Sequence, residues 1–459
     1  MAFYGREQEK KRILRYINKE TNQNILIYGR RRVGKSELIK HCIRSQKKTN
    51  IYYECKQTTE INNVESLCSV ISEQFNLPPL GFSSTEQVLE YLFRRGIDEE
   101  TILVLDEYPY LRSAVKGLDS ILQSLIDRYK DSSKLKLILC GSYVETMKSL
   151  LSKNSPLYGR MDLTIDLKQM DYYESALFYP SFSDEDKVRL YSVFGGIPYY
   201  NRLIDPNITV KENIQELIAM PSARLENEVT AYLKTEISKI TNANEVFEAL
   251  AKGFSRYSDI LDQSHVSSSP TLADVLDKLI KMEVIRKEAP INDENNRKKA
   301  GYYISDNLSA FYYRYIHRYL SQMSIMDPDV FYERYIYDDF EKQYVPHCFE
   351  SICRQYLIRM NRNGMLPVIF DKIGKYYYDD PANKTNGEFD IVTTDPEGFI
   401  FYDAKFRSNP VTEKMINEEI QQVMQTGLNC YKYGFISKSG FAAEPDDRLI
   451  LIELKELYK

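Results

Sequence analysis

The chain has 459 residues, and 61 Lys+Arg against 66 Asp+Glu leave a net charge of -5. That length is too great for one core and points to about three domains, and the near-balance of charge excludes a global basic field, so nucleic-acid contacts would rest on local patches. No apolar run is long enough for a signal peptide or membrane span, and seven cysteines without a C-x-x-C pair fit reduced thiols, so a cytoplasmic protein is expected.

Phe3 to Glu7 reads as a loop leading into an amphipathic helix with Ile13, Leu14 and Ile17 on one face. The loop is either a plain N-terminal cap or, ahead of a nucleotide strand, a segment beside the base. Ile25 to Tyr28 then forms an apolar strand that breaks into Gly29-Arg30-Arg31-Arg32-Val33-Gly34-Lys35-Ser36, followed by Glu37 and the apolar pair Leu38 and Ile39. In this G-x-x-x-x-G-K-S order the glycines turn backbone N–H groups toward a polyphosphate and the next helix points its positive end at it. Lys35 reaches the outer phosphates and Ser36 is placed to hold magnesium. Gly29 through Glu37 are the candidate ATP contacts, with no separate role expected for Arg30 to Arg32.

A short strand at 51–53 and helices over Val64–Phe75 and Thr85–Phe93 follow. The buried-strand run Thr101 to Leu105 ends in Asp106, expected to order magnesium, and Glu107, expected to polarise a water. A third run, Leu135 to Cys140, ends at Gly141-Ser142, where Ser142 is placed to sense the γ-phosphate. Strands with polar C-terminal tips, alternating with helices, predict an α/β parallel sheet sandwiched by helices across residues 1–168.

Arg160 lies on a turn before the strand Leu163 to Leu167; it is either an arginine finger for a neighbouring subunit or an exposed turn residue. A helical lid is expected over 169–240, broken at Gly195-Gly196-Ile197-Pro198, which is ordinary loop punctuation unless it lies over the nucleotide. Over 241–308, three short helices and two strands around a basic turn (Asn295 to Lys299) predict a winged helix. Its last helix mixes Asp274 and Asp277 with Lys278 and Lys281, which suits a packing module as well as a groove reader. A Tyr-rich linker over 309–345 has helical spacing, so its rings are expected in buried faces.

In 346–459, the strands Gly387–Val392 and Phe399–Lys405 flank a turn at Asp395 to Gly398. Alternation puts Glu388 and Asp390 on one face and Asp403 and Lys405 on one face. Asp390 and Asp403 are candidate magnesium ligands and Lys405 a candidate for steadying the nucleophile, with Glu350, at the edge of a preceding helix, as a further candidate acid and ligand.

The phosphate loop, Asp106-Glu107, Gly141-Ser142, Tyr158-Gly159-Arg160 and Gly195 to Pro198 together resemble the archaeal-type ATPases of the P-loop superfamily, close to the STAND and AAA+ lineages. The last part resembles the PD-(D/E)xK nuclease fold. The resemblance implies ATP and Mg2+ as cofactors, a nucleotide-side contact from Gly196 and Pro198, Arg160 acting across subunits of a homo-oligomer, and a nuclease centre of Asp390, Asp403 and Lys405 with Glu350. The expected function is an ATPase whose nucleotide state controls a Mg-dependent DNA nuclease, by analogy in antiviral or mobile-element defence. The competing reading is a nucleotide-dependent switch that binds DNA or protein through a non-cleaving docking domain.

Overall fold

The computed structural model describes residues 3–226, 228–229, 240–294, 296, 299–380, 385–444 and 446–459. The chain divides into two compact units, Met1–Met170 with Ile197–Tyr199, and Asp171–Gly196 with Tyr200–Lys459.

The first unit holds strands β1 (Gln23–Tyr28), β2 (Thr49–Glu54), β3 (Thr101–Asp106), β4 (Lys136–Gly141) and β5 (Leu163–Asp166). They pair in the order β2-β3-β4-β1-β5, all parallel. Every residue of β1, β3 and β4 is buried, as expected of parallel strands covered on both faces. Leu26, Leu103 and Leu137 share a core with Leu67, Phe93 and Leu122 from the flanking helices. The register sets Tyr28 beside Gly141 and Glu54 beside Asp106, so the phosphate loop, the two carboxylates and Ser142 emerge at one sheet edge. Two crossover helices run Glu60–Gln74 and Thr85–Asp98; the first starts a turn earlier than apolar spacing suggested because Thr59 caps the Asn62 amide.

The second unit opens with the helices Tyr172–Ala176, Asp184–Phe194 and Val210–Leu217. Helices Ala243–Ala251, Tyr257–Gln263 and Ser269–Lys281 then lead to an antiparallel pair, β6 (Ile285–Glu288) and β7 (Gly301–Ile304), in the order read from the sequence. Residues 230–239 at the end of the expected lid, and Asn295, Arg297 and Lys298 of the expected basic turn, lie outside the described residues. In the linker Phe311, Tyr312, Tyr313, Tyr315, Phe331 and Tyr332 are buried as expected, whereas Tyr337 is exposed. Arg314 makes a two-pronged ion pair with Asp339 (2.7 and 2.9 Å), which also accepts from Tyr315.

The last third carries β8 (Lys372–Asp380), β9 (Thr385–Asp395), β10 (Gly398–Lys405), β11 (Val411–Thr412), β12 (Cys430–Ser437), β13 (Phe441–Ala442) and β14 (Leu449–Glu453). Five of them form a mixed sheet in the order β14-β12-β10-β9-β8. β8, β9 and β10 are antiparallel neighbours, and β10, β12 and β14 are parallel. The helix Val345–Arg362 buries Phe349, Ile352, Cys353, Tyr356 and Leu357, and Ile416 and Val423 of the helix Glu413–Gln425 pack on Phe389, Val392, Phe401 and Phe435.

Candidate functional site

The nucleotide loop is shaped by its neighbours as well as by its own glycines. A side chain on Gly29 would meet the Leu167 carbonyl at 2.2 Å, so only glycine fits where the loop leaves β1. Gly34 sits at φ 92, in the left-handed region open to glycine, immediately before the helix Lys35–Arg44. Lys35 is 5% exposed, and its ammonium donates to the carbonyls of Gly29 and Arg30, both at 2.9 Å. Burial lowers its pKa, against the pull of Glu107 and Asp106.

Ser36 Oγ donates to Asp106 Oδ2 at 2.6 Å, and the Tyr52 hydroxyl donates to the same oxygen. Burial opposes ionisation of Asp106, but hydrogen bonds from Ser36, Tyr52, Cys140 and the Glu107 amide outweigh it and hold the carboxyl below its ordinary range. An ionised carboxylate and a hydroxyl oxygen this close are a fitting donor pair for magnesium.

Glu107 stands at φ 50, an uncommon conformation for a side-chain-bearing residue, at the start of the helix Tyr108–Ala114. Its carboxylate is held by Ser142, which donates from Oγ (2.8 and 2.9 Å) and from its amide (3.1 Å). The two residues expected to meet water and the γ-phosphate thus meet each other. Arg31 reaches the same corner and donates to the Tyr143 hydroxyl at 3.1 Å. Arg32 (φ 67) lies over the Tyr199 ring at 4.1 Å, and Pro198 Cγ would sit 3.7 Å from a side chain on Gly34. The Pro198 side of the Gly-Pro break therefore belongs to the loop, while Gly196 falls in the second unit.

Arg160 makes a two-pronged pair with Asp127 (2.9 and 2.7 Å) and donates to the carbonyls of Pro156 and Tyr158. Its guanidinium is thereby engaged within its own unit. Sequence reasoning missed Tyr52 and Arg6. Arg6 is buried and donates to the carbonyls of Val33 in the loop (3.2 Å) and Lys168 (2.5 Å). Its only sequence signal is a cation in the loop ahead of the first strand.

In the C-terminal sheet Lys405 lies 3.0 Å from Asp403 and 2.9 Å from Glu419, a partner the sequence did not suggest. Burial pushes the Asp403 carboxyl up to about 6, with Lys405 opposing and Glu419 and Glu350 adding to the rise. Asp390 lies on a bulge. The register passes from Gly374 opposite Val392 to Tyr376 opposite Phe389, giving β9 one extra residue across from Lys375. Lys375 bridges Glu388 and Asp390, each at 2.8 Å, so these two acids share a side as expected. Their attraction outweighs burial and raises the Lys375 pKa.

Glu350 pairs along its own helix with His347 at 3.0 Å. Among the described residues, no three His, Cys, Asp or Glu side chains are gathered to hold a metal ion. Of the expected ligands, Asp403 feels the charge of Glu350, and the β9–β10 register, which runs to Tyr402 opposite Ile391, brings Asp390 and Asp403 to the next positions of neighbouring strands, where Asp390 is paired with Lys375 and Asp403 with Lys405.

The segment between β6 and β7 seals this cluster. Ile291 N donates to the Lys375 carbonyl (2.8 Å), Tyr377 N to Asn292 (3.1 Å), and Asn292 to the Tyr377 carbonyl (2.7 Å), along β8 at the edge of the sheet. Arg256, at the start of the helix Tyr257–Gln263, reaches Glu388 at 2.5 Å. Glu288 on β6 is held near pKa 2: its burial is outweighed by Arg354, from the helix Val345–Arg362, and by Arg286. On the helix Ser269–Lys281, Lys278 pairs with Asp274 (2.6 Å) and Lys281 with Asp277 (2.7 Å), so its exposed face carries both signs of charge.

Residues 3–203 match the family of ATPase domains found predominantly in Archaea, and residues 312–421 match a family of archaeal and bacterial proteins of unknown function. An uncharacterized protein of Methanocaldococcus jannaschii is 26% identical over 98% of each chain. An uncharacterized ATP-binding protein of the same organism is 23% identical over 54% of this chain and 85% of its own length. Among solved structures, a Walker-type ATPase of Pyrococcus abyssi superposes with a TM-score of 0.53 at 21% identity, covering 68% of this chain and 96% of that one. No helix among the described residues is long and apolar enough to cross a membrane. The loop, the carboxylates and the parallel sheet are in keeping with the match of residues 3–203 to ATPase domains found predominantly in Archaea.

Proposed function

We propose that the protein is an ATP-hydrolysing switch whose nucleotide state governs a nuclease-type site in the C-terminal sheet, with DNA as the substrate. Lys35 and the loop amides bind the phosphates, Ser36 and Asp106 would hold the magnesium, which supplies charge neutralisation on the phosphates when bound, and Glu107 orients the attacking water. The release of Glu107 from Ser142 is the step that arms hydrolysis.

One observation carries the regulatory part of this reading. Arg256 holds Glu388, and Lys375 holds both Glu388 and Asp390, while the segment that includes Ile291 and Asn292 runs along the edge strand carrying Lys375. The nuclease-type acids are thus paired off by cations, one of them outside the sheet, so that undocking this segment would free them. DNA would meet the sheet edge around β8 rather than the charge-neutral helix Ser269–Lys281. The absence, among the described residues, of three converging acids favours a second reading, a nucleotide-dependent docking switch that cuts nothing. The discriminating experiment is Mg-dependent cleavage of supercoiled plasmid, with and without ATP, by wild type, Arg256→Ala and Lys405→Ala. Cleavage that rises in Arg256→Ala and vanishes in Lys405→Ala supports the nuclease; none in any protein that still hydrolyses ATP establishes the docking switch.

A further inference from the structure

We propose that Arg31, in the phosphate loop itself, is an intramolecular arginine finger that stabilises the transition state of ATP hydrolysis. The inference rests on the hydrolysis reading above and adds a catalytic residue to it. Position is the first argument. Lys35 and Ser36 place the outer phosphates over the helix start, and Glu107 with Ser142 marks the side from which water would attack. Arg31 spans these two landmarks: its backbone lies in the loop, and its Nη2 donates to Tyr143, the residue directly after Ser142, at 3.1 Å.

Support for the side chain is the second argument. The Tyr143 hydroxyl lies 3.4 Å from the Tyr110 hydroxyl, the two rings meet edge-on at 5.8 Å, and Tyr110 starts one turn beyond Glu107. A guanidinium fixed on a tyrosine pair has lost much of its rotamer freedom before any nucleotide arrives, which is what electrostatic stabilisation requires. Arg160, in contrast, is occupied by Asp127 in a two-pronged pair.

The chemistry balances without a neighbour. The water oxygen bonds to the γ-phosphorus as the bond to the β–γ bridging oxygen breaks. ADP leaves with that electron pair, and the water proton passes through Glu107 to the released phosphate. Arg31 donates to the γ-phosphoryl oxygens as their charge is redistributed, and Tyr143 acts as its positioning residue.

The test is steady-state ATP hydrolysis and fluorescent-nucleotide binding by wild type, Arg31→Ala, Arg31→Lys, Tyr143→Phe and Arg160→Ala, across a hundredfold range of protein concentration, with thermal melts verifying the fold. Arg31→Ala is expected to lower kcat on the order of 10³-fold while nucleotide affinity changes by less than about tenfold. Tyr143→Phe is expected to lower kcat by about tenfold, because a misplaced catalytic group loses rate before binding. Arg160→Ala should stay within about twofold, and specific activity should not depend on protein concentration, as for an arginine supplied in cis. Folded Arg31→Ala protein that keeps wild-type kcat overturns the inference. So does an Arg160→Ala protein that proves inactive and regains activity on mixing with inactive Lys35→Ala, which would reveal a finger in trans. A wild type that binds nucleotide without hydrolysing it instead refutes the underlying hydrolysis reading.

Discussion

Replacing Asp403 by Asn should make the C-terminal sheet more stable at neutral pH, although it removes half of an ion pair. Burial pushes this carboxyl up to about 6, against an ordinary value of about 3.9. A carboxyl raised in the folded state favours its neutral form there, so the native state binds more protons than the unfolded chain between these two values, and stability falls as pH rises through that window. The gross penalty above pH 6 is about two pKa shifts of 1.36 kcal/mol, or ~3 kcal/mol. Lys405 would lose one partner but keep Glu419 at 2.9 Å, so we expect a net gain of roughly half the gross penalty, ~1.5 kcal/mol, at pH 7.5. The assay is native-state hydrogen exchange of peptides from β10 and β12, wild type against Asp403→Asn at equal pH with a chelator present, which reads the local opening energy without assuming that the two units unfold together. The gain should shrink toward zero below about pH 4, where Asp403 is neutral in both states. Equal protection at pH 7.5, or a gain that persists unchanged at the acid end, would refute the assignment of a buried, reluctant charge.

Two further substitutions test the nucleotide site. Gly29→Ala should unfold or distort the first unit, because its new methyl would meet the main-chain carbonyl of Leu167 at 2.2 Å; a loss of ~3 kcal/mol or more in urea unfolding is expected, and a loss under about 1 kcal/mol would show that the loop relaxes. Ser142→Ala removes the Oγ hydrogen bonds that hold Glu107 (2.8 and 2.9 Å). A hydrogen bond to a charged group is worth about 1.5–3 kcal/mol, so if the pairing is a resting state, ATP turnover without any activator should rise about tenfold or more. Turnover that falls instead would assign Ser142 to sensing the γ-phosphate.

The chain itself determined the local chemistry of the nucleotide site. Uninterrupted apolar runs can be satisfied only as strands buried on both faces, and a glycine-rich break after such a strand leaves backbone donors at its tip. For that reason Gly29, Lys35, Ser36, Asp106, Glu107 and Ser142 were legible from spacing alone, as were the three helices and two strands of the middle segment and the order of helix and strands around Asp390 and Asp403. Local spacing carries no information on which cation meets which carboxylate across the fold. The pairing of Glu107 with Ser142 depends on β3 and β4 lying side by side, which is decided by sheet order. The Arg160–Asp127 pair joins residues 33 positions apart, and Arg256 reaches Glu388 across 132. The bulge opposite Lys375 arises from strand register, a property of two strands together. Tertiary structure alone decided which cation each of these acids meets, Asp390 with Lys375 and Asp403 with Lys405, because a buried carboxylate is stabilised by the nearest ammonium or guanidinium the fold can supply.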